Sequence, residues 1–239
     1  MVFSKKVLLM TNSADICIYG DSLMKGTIPA DISRYKFTIG QYLDKIADVF
    51  SLKVLNRAKF GAPVTKGAAL LRQDLERNIT GKYTLLEYGG NDCNFDWAAV
   101  SAAPDGEHQP KTPLRDFLST LESMVDALVQ VGSQPVLMTL PPIDAEKYLN
   151  AICTNVNCVR ENILHWLGDV NMIYRYHEMY SGAITSLAAR KSLPLVDVRT
   201  LFLDKHNYRD LISDDGIHPS DKGYSIIYSA FHDRLGNLI

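Results

Sequence analysis

Ala14-Asp15-Ile16-Cys17-Ile18-Tyr19-Gly20-Asp21-Ser22-Leu23 carries a short apolar run directly into a polar turn. Ala14 to Tyr19 reads as a buried strand. Similar runs recur at Leu52 to Leu55, Tyr83 to Tyr88, Pro135 to Leu140 and Leu195 to Val198, giving five strands. Helical periodicities separate them. Tyr35 to Phe50 has an apolar stripe of Phe37, Tyr42, Leu43, Ile46 and Val49-Phe50. Thr65 to Asn78 turns Ala69, Leu70 and Leu71 inward, with Gly81 as a stop signal. Pro113 to Val131 carries Leu114, Phe117, Leu118, Leu121, Val125 and Leu128, then Gly132. Val159 to Arg190 reads as two helical pieces with Gly168 and Gly182 as weak points, and Ser220 to Leu235 as a last helix capped by Ser220. This alternation predicts an α/β fold, a parallel sheet covered by helices.

The chain has 239 residues, 46% hydrophobic and 22% charged, with a net charge of -2. These values predict one α/β domain spanning residues 1–239. No dense Lys/Arg patch is present, so nothing points to nucleic acid. No stretch approaches a membrane span, and the apolar run within Met1 to Met10 is too short for a secretion signal. The expectation is a cytoplasmic protein without membrane insertion. Four sparse cysteines, Cys17, Cys93, Cys153 and Cys158, fit that expectation as thiols, although Cys153 and Cys158 are spaced to bridge in an oxidising compartment.

Two segments break the alternation. Residues 93–112 are polar, with Pro104, Gly106 and Pro110, and residues 141–157 open on Pro141-Pro142. Both follow strands, on the side where open α/β sheets place ligands. They read as lid-like loop insertions over a site.

The candidate chemistry lies at strand ends. Ser22 follows the first strand, and serine needs a base to become a nucleophile. Asp215-Gly216-Ile217-His218-Pro219 offers that base in His218, because histidine is the side chain that exchanges a proton most readily near neutral pH. Asp215, three residues earlier, can orient Nδ1 across a tight turn; its neighbour Asp214 is the competitor. An acyl-transfer site also needs donors for an oxyanion. Gly61, after the second strand, can present a backbone N–H. Asn91, in Gly89-Gly90-Asn91-Asp92 after the third, can offer its amide. Asp21 and Asp92 read as carboxylates that hold turns. The other histidines show no metal spacing.

Rival motifs fail. Gly20-Asp21-Ser22-Leu23-Met24 lacks the final glycine of the α/β-hydrolase elbow. Ser22-Leu23-Met24-Lys25 matches Ser-x-x-Lys without its companion motifs. No Gly-x-Gly-x-x-Gly follows the first strand.

With Ser22 in Gly-Asp-Ser-Leu, Gly61 five residues after Asn56, Asn91 in Gly-Gly-Asn-Asp and His218 in Asp-Gly-Ile-His-Pro, the chain resembles the GDSL, or SGNH, hydrolase family. His218 to Tyr224 and Leu195 to Val198 also look like family segments, so the resemblance spans Asp15 to about Phe231. It implies a flavodoxin-like three-layer α/β/α fold with a five-stranded parallel sheet and no metal or organic cofactor. It implies Ser22 as nucleophile, His218 as base, Asp215 as its orienter, and Ser22, Gly61 and Asn91 as the oxyanion hole. Two departures are the Lys59-Phe60 and Ala62-Pro63 flanks of Gly61 and the long polar segment 93–112.

The expected activity is that of a serine esterase acting on a small-molecule ester, with a small acyl group, acetyl first, on a carbohydrate-like alcohol. A lysophospholipase or acyl thioesterase is the alternative within enzymes, and a non-catalytic glycan-binding module the alternative outside them. Phe95, Trp97 and Tyr148, in the two insertions, can stack on a sugar, line an acyl pocket or simply pack.

Overall fold

The computed structural model describes residues 13–31, 34–37, 39–156 and 158–238. Five parallel strands form the central sheet: β1 (Ala14–Gly20), β4 (Val54–Asn56), β5 (Gly81–Glu87), β6 (Gln134–Met138) and β7 (Leu195–Val196). Their order is β4-β1-β5-β6-β7. Counting only these five, that is the 2-1-3-4-5 order of flavodoxin-like sheets, with its switch point between the first and third strands. A ligand crevice therefore belongs beyond the carboxyl ends of β1 and β5.

Both sheet faces are covered, because the central strands carry buried apolar residues on each side. On one face Cys17, Tyr19, Leu86 and Leu137 pack against α2 (Val64–Glu76), α4 (Leu114–Gln130) and α7 (Asn171–Lys191). On the other, Ile16, Ile18, Leu85 and Val136 meet α1 (Ile39–Phe50), α8 (Val198–Leu203) and α9 (Asp221–Gly236). The single-residue alternation Ile16/Cys17/Ile18/Tyr19 is the two-residue strand period read out in space. A third apolar cluster joins Phe95, Trp97, Ile143, Leu149, Ile163 and Ile173. It is built by α3 (Trp97–Ala102), α5 (Ala145–Val156), α6 (Arg160–Leu167) and the start of α7.

Several expectations are corrected. The helix expected from Tyr35 starts at Ile39. Tyr35 to Phe37 lie instead in β3 (Arg34–Phe37), paired antiparallel with β2 (Thr27–Asp31), Thr27 opposite Phe37 and Pro29 opposite Tyr35. Tyr35 and Phe37 alternate at the strand period, and aromatic residues favour strands. The segment 141–157 is not a loop, since α5 fills most of it, with Asn157 outside the described residues. Its buried Ala145, Leu149 and Ile152 follow an i, i+4, i+7 helical spacing that the proline pair obscures. The segment 93–112 likewise contains α3, capped by Asp96. The last strand ends at Val196, because the Asp197 side chain accepts from Thr200 N–H (3.2 Å) and starts α8. Gly168 breaks the α6–α7 run with φ 73°, whereas Gly182 lies within an uninterrupted α7. Cys17, Cys93, Cys153 and Cys158 are free thiols. The Met1 to Met10 reading falls outside the described residues. Among the described residues no helix is long and apolar enough to cross a membrane.

Candidate active site

The turn after β1 places Ser22 at the crevice. Asp21 shapes it by accepting Leu23 N–H at 2.8 Å, an Asx-type turn within two residues. At the far end of the chain, Asp215 shapes a second turn. Its Oδ1 accepts the N–H groups of Ile217 (3.1 Å) and His218 (3.0 Å), and its Oδ2 lies 2.6 Å from His218 Nδ1. With Nδ1 so engaged, His218 Nε2 faces Ser22 Oγ at 2.9 Å, joining residues 196 positions apart. Asp215, not Asp214, is the carboxylate in contact.

That second turn is held from outside. An isolated bridge pairs Ile212 with Pro219, and Ser213 N–H donates to His218 O at 2.8 Å. Gly216 O accepts from Asp144 N–H (2.8 Å) at the start of α5. Gly216 has φ +79°, and a Cβ there would stand 2.3 Å from Tyr148 N. Both facts require glycine: the left-handed backbone and the close approach of α5. Asp144, 2% exposed, is also bound by Arg209 at 2.8 Å, so the residue at the start of α5 is tied both to the histidine turn and to the segment before that turn.

Gly61 and Asn91 line the same cavity as Ser22 and His218. Gly61 has φ +65°, and apart from its two chain neighbours no residue comes within 4 Å of where its Cβ would be. Its loop is anchored by Arg57, whose guanidinium grips buried Asp74 at 2.6 and 2.7 Å, with Tyr19 Oη on the same carboxylate at 2.9 Å. Asn91 Nδ2 donates to Asp21 Oδ2 at 2.7 Å, which leaves the second amide hydrogen uncommitted by that bond. Asp92 accepts Val64 N–H at 3.0 Å, tying the Asn91 turn to the first residue of α2. Burial pushes the Asp92 carboxyl up to about 6.

Beneath Ser22 lies a residue the sequence did not single out. Glu87 ends β5, is 1% exposed, and accepts Asp21 N–H at 3.3 Å. The two carboxyl groups also share a side-chain hydrogen bond. Burial, and then the charge of Asp21, hold the Glu87 carboxyl well above the usual range. Two carboxylates this close cannot both ionise in a buried site. Glu87 therefore keeps the proton and donates to Asp21, whose remaining capacity holds Leu23 and Asn91. The only sequence signal is an acid closing an apolar strand.

The cavity measures about 240 Å³. One apolar and aromatic wall is formed by Phe95, Trp97, Ile143, Tyr148, Ile173 and His177. Phe95 and Trp97 are buried and lie at a 54° angle, 5.5 Å apart, while Trp166 and Tyr176 meet Phe95 edge-on. These aromatics line and pack; neither Phe95 nor Trp97 offers an open face to a sugar. Asn94 Oδ1 fixes the wall by accepting from Phe95 N–H (2.9 Å), Trp97 Nε1–H (2.7 Å) and Tyr148 Oη–H (2.9 Å). The half-exposed aromatic at the site is Phe60, whose ring lies near-parallel to His218 with centroids 6.4 Å apart. No sequence motif marks Asn94 or His177 as a site residue, and Phe60 stands out only as a bulky flank of Gly61. Among the described residues no group of three His, Cys, Asp or Glu side chains is placed to hold a metal.

Residues 18–226 match the GDSL-like Lipase/Acylhydrolase family. The GDSL esterase/lipase CPRD49 of Arabidopsis thaliana is 21% identical over 202 residues, covering 83% of this chain and 73% of the relative. Among solved structures, a lipase/acylhydrolase from Enterococcus faecalis superposes with a TM-score of 0.61 at 15% identity, over 92% of this chain and 94% of that one. A mutant of Axe2, an acetyl-xylooligosaccharide esterase from Geobacillus Stearmophilus, gives 0.66 at 17% identity, over 96% and 97%. These two likenesses establish a common fold.

Proposed function

The chain belongs to the GDSL-like lipase/acylhydrolase family and is an ester-cleaving serine hydrolase, and we propose that Ser22, His218 and Asp215 are its triad, acting on a compact ester with a short acyl group. The observation that carries this is the continuous path from Ser22 Oγ through His218 Nε2 (2.9 Å) and Nδ1 to Asp215 Oδ2 (2.6 Å).

The steps follow from that path. Ser22 Oγ attacks the acyl carbonyl carbon and its proton passes to His218 Nε2. Asp215 fixes the imidazole tautomer and stabilises the imidazolium. The carbonyl oxygen becomes an oxyanion that accepts from the N–H groups of Ser22 and Gly61 and from Asn91 Nδ2. The C–O bond to the alcohol breaks as His218 returns the proton to the leaving oxygen. Water, deprotonated by His218, then releases the acid and restores Ser22.

Size supports the substrate class. At about 240 Å³ the cavity lies below the roughly 300–1,000 Å³ of sites for drug-sized ligands. That favours acetyl or a similarly short acyl group over a lysophospholipid chain. An acetylated carbohydrate is the first natural substrate to test, given the activity of the similarly folded Axe2. Its sugar would sit at the mouth beside Phe60 rather than in the aromatic wall. The test is hydrolysis of p-nitrophenyl esters from acetate to decanoate, with Ser22→Ala as control and fluorophosphonate labelling of Ser22. Turnover that falls with chain length and vanishes in the variant is expected. Ser22-independent turnover, or unlabelled Ser22 in folded protein, overturns the triad. A preference for decanoate overturns the short-acyl assignment.

A further inference from the structure

His177 sits on α7, 6% exposed, with its ring on the wall of the active-site cavity. Its Nδ1 is buried and meets no hydrogen-bond partner. Nε2 is not enclosed in that way, so it is the ring nitrogen that keeps accessible surface. Burial, then the positive charge of Arg199, push the imidazole down to about 3. His177 is thus neutral at ordinary pH, with one N–H and one lone pair.

A buried N–H without a partner is rarer than a buried acceptor without one. The favoured tautomer therefore carries its proton on Nε2 and leaves the Nδ1 lone pair against protein. That points one donor into an otherwise apolar and aromatic wall. The acceptors and hydroxyl of that wall already have partners. Asn94 Oδ1 already takes three donors, Trp97 Nε1 and Tyr148 Oη are among them, and Cys93 Sγ lies 3.4 Å from Gly90 O. A buried polar group that has lost water is stabilised when a ligand supplies the missing bond.

Building on the esterase reading, we infer that this end of the cavity is a subsite for a second, uncharged oxygen of the substrate, a hydroxyl or carbonyl that accepts from His177 Nε2 and is borne on a small ring or short chain. A carboxylate is disfavoured because His177 offers it no charge while the apolar wall strips its water. An ammonium group is disfavoured by Arg199. A whole pyranose would bring several hydroxyls to a wall with few partners for them. The volume suits one ring: an apolar cavity of about 150 Å³ is enough for benzene, and this one measures about 240 Å³.

The test uses an isosteric pair, benzyl alcohol and ethylbenzene, titrated into the full chain and into His177→Phe and His177→Gln. The ratio of the two Kd values is the readout. Relative to native protein, His177→Phe shifts the ratio about tenfold toward ethylbenzene, the worth of one hydrogen bond. His177→Gln, which keeps a donor, retains most of the native preference. A readout without variants is the ¹⁵N resonance of His177 Nε2, which moves with benzyl alcohol and not with ethylbenzene. An unchanged ratio in His177→Phe, an unmoved resonance, or no binding of either probe to native protein overturns the subsite. Fluorophosphonate labelling of Ser22 is scored separately. Labelled Ser22 with no His177 dependence sinks only the subsite, and unlabelled Ser22 with intact His177-dependent binding sinks only the triad.

Discussion

The histidine turn and the aromatic wall of the cavity touch through Gly216 and Tyr148, yet they are built in opposite ways. The turn is local: Asp215 and His218 are three residues apart, and Asp215 closes the turn through the Ile217 and His218 N–H groups. The wall is assembled from α3, α5, the start of α7 and the strand ends, and its residues Phe95, Ile143 and Ile173 share one cluster despite long separations in the chain. The proposed chemistry, which must be positioned to a few tenths of an ångström, sits on short turns closed by their own backbone bonds, after β1 for Ser22 and before α9 for His218. Substrate shape is left to packing among helices, which tolerates change more easily.

Substitutions can break that contrast. The largest effect is expected for Ser22→Ala, a loss of roughly 10⁴-fold or more in kcat with folding unchanged, read by steady-state kinetics and thermal melting. Gly216→Ala comes next. It forces a side chain onto φ +79° and into Tyr148 N at 2.3 Å. We expect about 2–4 kcal/mol of destabilisation by denaturant unfolding and near-complete loss of activity. A variant with native stability and kcat would show that α5 does not hold the turn.

Glu87 tests whether the buried carboxyl pair positions the site. Glu87→Gln keeps a neutral donor to Asp21, and its kcat should stay within about threefold of native. Glu87→Leu removes the donor, and kcat should fall about tenfold or more with little change in KM, because the role proposed for Asn91 is on the oxyanion rather than on bound ester. Equal losses in both variants would assign Glu87 a packing role alone.

The wall predicts a change in kind, not in rate. Ile143→Ala should move the preferred p-nitrophenyl ester toward longer acyl chains, with acetate kcat/KM falling several-fold, at about 2–4 kcal/mol in stability. An unchanged chain-length profile would place the acyl group elsewhere.

The smallest effect is a slope. The folded His177 pKa, about 3, lies below its ordinary 6.5, so its neutral form stabilises the fold above pH 6.5 and that contribution is lost as pH falls toward 3. Asp92, raised to about 6 from 3.8, acts in the opposite sense: its contribution is present at low pH and lost as pH rises through 6. His177→Phe should therefore flatten the acid limb of stability between pH 6.5 and 3 and leave the Asp92 window in place. An identical acid limb in native and variant proteins would show that His177 is not held neutral.

The sequence by itself determined the five strands and the turns that follow three of them. Strand period, strand-end glycines and carboxylates that bond their own backbone act within a few residues, so a linear reading captures them. That is why Ser22, Gly61, Asn91 and His218, which line one cavity, and Asp215, which bonds His218 Nδ1, are all legible in the sequence. The tertiary structure alone decided that Glu87 is buried against Asp21, that Asn94 gathers three donors, and that α5 presses on Gly216. It alone left His177 neutral and unpaired in an aromatic wall. Burial, and the loss of water that raises or lowers a proton's affinity, depend on which distant elements pack together, and no local pattern encodes that.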